Sequence, residues 1–116
     1  MAQELPPILA EHIDAINSGD LERATATFSD DGYIGAEAEA WGLDAVRARL
    51  KKEFLDDSVT LEVREVMEHQ GDYVLKTKYD GTYDKTNLPD PLIMTNYYAI
   101  RDGKIISLIV KFIPSA

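Results

Sequence analysis

The sequence predicts an α+β domain in which three N-terminal helices pack on a strongly curved antiparallel sheet, a cone that encloses a pocket. Three observations carry this reading. Apolar residues recur at helical spacing as far as Phe54 and at a period of two from Val59 onward. Two tight-turn sequences, HQGD at His69–Asp72 and Asp102-Gly103, divide the second half into hairpins. Helices first and a meander afterwards is the order that segregates helices to one face of a sheet. At 116 residues the chain is read as one domain over residues 1–116.

Residues Met1 to Leu5 read as a lead-in. Pro6 and Pro7 suit the first turn of a helix, where an N–H is not needed. Ile8, Leu9, His12, Ile13 and Ile16 then share a face, and Glu11, Asp14 and Asn17 fall on the wet side. Gly19 stops this helix, and Asp20 caps the next by accepting from N–H groups two and three residues on. Leu21, Ala24 and Phe28 form its buried stripe. Ser29–Gly32 (SDDG) reads as a turn, with Tyr33 and Ile34 entering a strand. Gly35 to Gly42 alternates Ala36, Ala38 and Ala40 with Glu37 and Glu39, an extended segment with a face of methyl groups. Such small side chains mean either close backbone packing or a cavity wall. Leu43, Val46, Leu50 and Phe54 mark the third helix, with Arg47, Lys51, Lys52 and Glu53 outside.

Val59, Leu61 and Val63 open the sheet, and Val66-Met67 signals a bulge or change of face. Tyr73, Leu75, Thr77, Tyr79 and Tyr83 share the inner face of the next strand, opposite Lys76, Lys78 and Asp80. The segment Asp84–Pro91 holds two prolines and is a loop. Leu92, Met94, Asn96, Tyr98 and Ile100 line one face of the following strand. In the last strand, Lys104–Ile113, the alternation sets Ile106, Leu108, Val110 and Phe112 against Ile105, Ile109 and Ile113. Both faces of these two strands are largely apolar. Helices cover one, so a second copy in a homodimer is expected on the other.

Charge narrows the function. A net charge of −9 argues against nucleic acid and anionic membrane partners, which need a basic surface. There is no cysteine, so disulfides, thiolate catalysis and cysteine-ligated metals are excluded. That, and a leader with no basic start and no apolar core, fits a cytoplasmic location. No apolar run has the length of a membrane span. The two histidines, His12 and His69, have no ligand spacing, the acids alternate, and no glycine-rich phosphate loop is present, so no metal site is expected.

The sequence resembles the nuclear transport factor 2-like superfamily in its SnoaL-like and ketosteroid-isomerase-like branch. The resemblance lies in AINSGDLERATATFSDDGYI (Ala15–Ile34), the helix that follows Trp41-Gly42, and YYAIRDGKIISLIVKF (Tyr97–Phe112). It implies a cone with a deep apolar pocket, often in a homodimer, and no metal or organic cofactor. His12 stands near the position of the isomerases' oxyanion-donating tyrosine, and Asn96 at that of their second donor. The isomerases' general base falls on Ala36, and the cyclases' catalytic aspartate on Val110. Both are apolar here, a departure that weighs against steroid isomerase and polyketide cyclase chemistry of the standard kinds.

The candidate site therefore has His12 as acid–base and Asn96 as oxyanion donor. Thr77, Tyr79 and Tyr98 add polar groups, with Trp41 near a rim. Ile16, Ala36, Leu75 and Met94 supply apolar wall, as do Leu108, Val110 and Phe112. The expected ligand is a small apolar molecule. Three functions are consistent with this: an isomerase, cyclase or dehydratase on an apolar carbonyl compound, a non-catalytic binding module, or a dimeric interaction domain with a filled core. His12 is either the acid–base or a satisfied core histidine.

Overall fold

The computed structural model describes residues 5–112 apart from Glu37, Asn87 and Asp90. Expectations for residues 1–4, Glu37 and Ile113 lie outside the described residues. The helices are α1 (Pro7–Asn17), α2 (Leu21–Ala26) and α3 (Leu43–Leu50), which runs on into a π-helical turn, Lys51–Leu55. The strands are β1 (Phe28–Gly35), β2 (Glu39–Trp41), β3 (Thr60–His69), β4 (Asp72–Asp80), β5 (Leu92–Arg101) and β6 (Lys104–Lys111). They form one curved, unclosed sheet in the order β2-β1-β6-β5-β4-β3. The α+β architecture is the one the patterning predicts. One pair, β1 with β6, is parallel. The chain enters β1 from the helical layer rather than through a hairpin, so nothing forces that pair to be antiparallel.

The helical layer follows from local sequence. Of the predicted face of α1, Leu9, His12 and Ile16 are buried, Ile8 and Ile13 are half-buried, and Ala15 joins the buried set. Gly19 takes φ +72°, a conformation that costs glycine nothing. Asp20 then caps α2 by accepting from the Arg23 N–H at 3.1 Å, worth about 1 kcal/mol. Arg23 clamps α2 to α1 through Glu11 and Asp14. Asn17 binds the end of α1 to β3: its amide donates to the Leu61 carbonyl at 3.0 Å and accepts from the Leu61 N–H at 2.7 Å.

Five local readings are corrected. Ser29–Gly32 lies inside β1, not in a turn between elements. Against β6 the strand advances from Phe28 to Tyr33 while its partner moves only from Ile105 to Ser107, so three extra residues bulge there. The stretch after Gly35 is a hairpin, not one extended segment. Tyr33 pairs Trp41 and Ile34 pairs Ala40, which leaves Ala36 half-buried, Ala38 exposed and Ala40 buried. In β6 a bulge opposite Ala99–Ile100 shifts the alternation, so Ile105 joins Leu108 on the inner face and both are fully buried. Tyr83 lies beyond β4, which ends at Asp80. The bulge expected near Val66 falls between Val63 and Glu65. Both predicted hairpin turns form, with positive φ at Gln70-Gly71 and Asp102-Gly103.

The core lies between helices and sheet. Leu9, Ile16, Val46 and Leu50 meet Ile34, Leu75, Ile105 and Leu108 there, each almost wholly removed from water. Each such aliphatic side chain contributes roughly 1.5–3 kcal/mol. On the outer face, register sets Val74, Tyr97 and Ile109 side by side, half-buried. No helix among the described residues is long and apolar enough to cross a membrane.

The Asn17 clasp is a direct test of how the layers are joined. Asn17→Ala is expected to cost about 1–3 kcal/mol in chemical denaturation, two hydrogen bonds being lost at once. It should also speed amide exchange at Leu61. Unchanged stability and exchange would show that α1 holds β3 by side-chain packing alone.

Candidate functional site

Toward the open end of the cone the core gives way to a cavity of about 610 Å³. Its apolar wall comes from Ile34 and Ala36 of β1, Leu92 and Met94 of β5, and Val110 of β6 with Phe112 just beyond. Phe54 and Val59 close the helical side, and Leu88 and Pro89 of the β4–β5 loop stand at the exposed mouth. Four polar side chains reach the same space: Glu53, Asp57, Tyr79 and Tyr83. A second hollow of about 450 Å³ adjoins the first and shares Tyr79, Tyr83, Leu88, Pro89 and Leu92 with it.

Local structure explains the polar set. In the π-helical turn the Asp56 N–H reaches the Lys51 carbonyl at 2.8 Å, five residues back. The α ladder ends at Leu50, and Glu53 and Phe54, three and four residues on, both line the cavity. Glu53 pairs with Arg49 on its other side. The Asp57 carbonyl accepts from the Thr82 N–H at 2.7 Å, which draws the segment after β4 over the cavity. Gly81 permits that approach, since a Cβ there would lie 2.7 Å from the Asp57 oxygen. The Tyr83 hydroxyl then donates to the Tyr79 carbonyl at 3.1 Å.

Behind Tyr79 a buried polar chain crosses the core. The Tyr79 hydroxyl donates to Asn96 Oδ1 at 3.0 Å. Asn96 Nδ2 donates to Tyr98 Oη at 3.4 Å, and Tyr98 Oη lies 3.1 Å from His12 Nε2. His12 Nδ1 lies 3.4 Å from Thr27 Oγ1, which donates to the Ala24 carbonyl at 2.6 Å. Phe28 and Tyr98 meet the imidazole edge-on, at 5.7 and 5.3 Å between centroids. His12 is fully buried, and burial pushes its pKa down to about 3. Burial also raises the phenols of Tyr79 and Tyr98.

The predicted site residues thus divide. Ala36, Tyr79, Met94, Val110 and Phe112 line the cavity. Ile16, Leu75, Thr77, Tyr98 and Leu108 pack in the solid core. His12 and Asn96 are brought together, with Tyr98 between them, but neither reaches the cavity wall. Trp41 is 68% exposed and stacks on Tyr33 on the outer face of the sheet, so it is no rim of this cavity. The parity of β2 explains this: Ala40 points inward, so Trp41 points out.

Sequence reasoning assigned Glu53 to the solvated face and gave Asp57 no role. The paired acids and the Gly81 contact are the local features that mark them. Among the described residues, no three histidine or acidic side chains cluster as metal ligands.

The SnoaL-like domain family matches residues 9–108. No curated protein matches the sequence. Solved structures share the fold. A candidate polyketide cyclase from Sinorhizobium meliloti is 24% identical, with 92% of this chain and 95% of that chain covered and a TM-score of 0.78. An NTF2-like protein of unknown function from Cytophaga hutchinsonii is 16% identical, with 98% and 96% covered and a TM-score of 0.76. A protein with a ketosteroid isomerase-like fold from Catenulispora acidiphila, solved with trimethylamine, is 16% identical, with 94% and 87% covered and a TM-score of 0.77.

The buried imidazole has a pH signature. The unfolded chain takes up a proton at His12 near pH 6.5, whereas the folded chain does so only near 3. Its contribution to stability is complete above 6.5 and is lost as the pH falls toward 3. Within that window the native protein should lose about 1.4 kcal/mol more per pH unit than His12→Gln. Parallel stability curves for the two proteins would show that the ring is not buried in its neutral form.

Proposed function

Because the chain belongs to the SnoaL-like domain family, we propose that it binds a small, largely apolar molecule in the cavity beneath the β4–β5 loop. The observation that carries this is the cavity itself, apolar over most of its wall and large enough for a molecule of cofactor or drug size. Tyr79 and the two acids give such a ligand an orientation. His12 and Asn96 act behind the wall: they hold Tyr79 in place and do not touch the ligand. An acid–base role for His12 requires a path to the cavity, and the amide of Asn96 interrupts proton transfer along the chain.

One observation favours a second, catalytic reading. Glu53 lines the cavity, so a carboxylate is available there for proton transfer without a cofactor. In that reading the protein is an isomerase, cyclase or lyase, and Glu53→Gln removes turnover while leaving binding in place. Homodimerisation through the outer face around Val74, Tyr97 and Ile109 belongs to the same proposal. Tyr97→Glu should then give a monomer by light scattering.

Met94→Trp fills the cavity from β5 without touching the polar chain. The parent should retain or take up an apolar compound in native mass spectrometry. The variant, folded by circular dichroism, should lose at least about 10-fold in affinity, one large side chain's worth of displaced contact. Equal binding by the two would place the ligand elsewhere, and a parent that binds nothing would favour a filled interaction domain.

A further inference from the structure

The geometry points to a cavity that selects a ligand bearing a hydroxyl hydrogen-bond donor over one with only a carbonyl or ether oxygen, because the polar chain behind Tyr79 has a fixed direction. This inference rests on the cavity being the binding site. It concerns what that site recognises.

The direction is set at the far end. Thr27 has one hydroxyl proton, and it goes to the Ala24 carbonyl at 2.6 Å. Toward His12, then, Thr27 Oγ1 offers only lone pairs, and the imidazole satisfies both groups by carrying its proton on Nδ1. Nε2 is left bare and accepts from the Tyr98 hydroxyl at 3.1 Å. Tyr98 has spent its proton, so it accepts from Asn96, whose NH₂ must face it. Asn96 Oδ1 therefore faces Tyr79 and accepts its proton at 3.0 Å. Each link leaves the next no choice.

The reverse chain would place the His12 proton on Nε2, turn the Asn96 amide over and free the Tyr79 proton for a ligand. It would also set the bare Nδ1 against the lone pairs of Thr27, a buried acceptor with no donor, which is disfavoured. Tyr79 thus meets the cavity as an acceptor. Tyr83 does so too, its proton being held by the Tyr79 carbonyl at 3.1 Å. The other polar side chains of the wall are the carboxylates of Glu53 and Asp57, acceptors as well. No lining side chain among the described residues offers a donor to a ligand's carbonyl or oxyanion. A neutral hydroxyl on an apolar body satisfies this wall, whereas a ketone or ether oxygen meets lone pairs.

Three probes of one shape separate the outcomes: naphthol, its methyl ether and naphthyl methyl ketone, titrated into the protein by calorimetry. Naphthol should bind at least about 10-fold tighter than either of the others, and Tyr79→Phe should reduce that preference. Nitrogen NMR of His12 should show Nδ1 protonated and Nε2 bare. In Thr27→Val, which removes the pin while keeping the volume, that tautomer preference should weaken. Equal or tighter binding of the ether or ketone overturns the inference and leaves the cavity reading standing, as does a proton on Nε2. If none of the probes binds, the cavity reading itself fails and the inference falls with it.

Discussion

The structure depends on one requirement: the imidazole buried under the helices must find partners. His12 sits on the apolar face of the first helix, where an unpaired imidazole would be strongly unfavourable. It is satisfied by Thr27, at the junction of α2 and β1, and by Tyr98 on β5. Through Asn96 the chain continues to Tyr79 on β4. One connected set of hydrogen bonds thus fixes the first helix, the second helix's end and two central strands relative to one another. Aliphatic packing supplies most of the stabilisation but has no direction. The polar chain supplies the direction.

The same requirement separates two volumes. Around His12 the core is solid, with Leu9, Ile16, Leu75 and Leu108 fully packed. Beyond Tyr79 the interior opens, where the wall holds the small side chain of Ala36, with Phe54 and Glu53 on the helical side. In ketosteroid isomerases, the resemblance places the general base at the position of Ala36, and in SnoaL-like cyclases it places the catalytic aspartate at that of Val110. This chain has apolar side chains at both and carries its cavity acids on the segment between α3 and β3 instead. The family's scaffold is kept.

Much of the fold was legible in the sequence because period and punctuation agree. The face of α1, the Gly19–Asp20 corner, both hairpin turns and the alternation of β4 and β5 need no information from outside their own segments. What was not legible depends on pairing. Whether Ile105 or Ile106 faces inward is decided by a bulge opposite Ala99, a one-residue change of parity that reverses the side chains beyond it. Glu53 stands three residues after Leu50, beside the buried stripe even at α spacing, and was set outside because of its charge. For the site, the sequence brought His12 and Asn96 to one interior but gave no way to see that Tyr98 stands between them.

The most direct test of this division of the interior is a xenon titration of the folded protein followed by methyl NMR, since xenon enters hollow apolar space and is excluded from close-packed core. The methyl groups of Ile34, Met94 and Val110 should shift as the gas pressure rises, while those of Ile16, Leu75 and Leu108 stay still. Shifts in the second set, or silence in the first, would contradict the account.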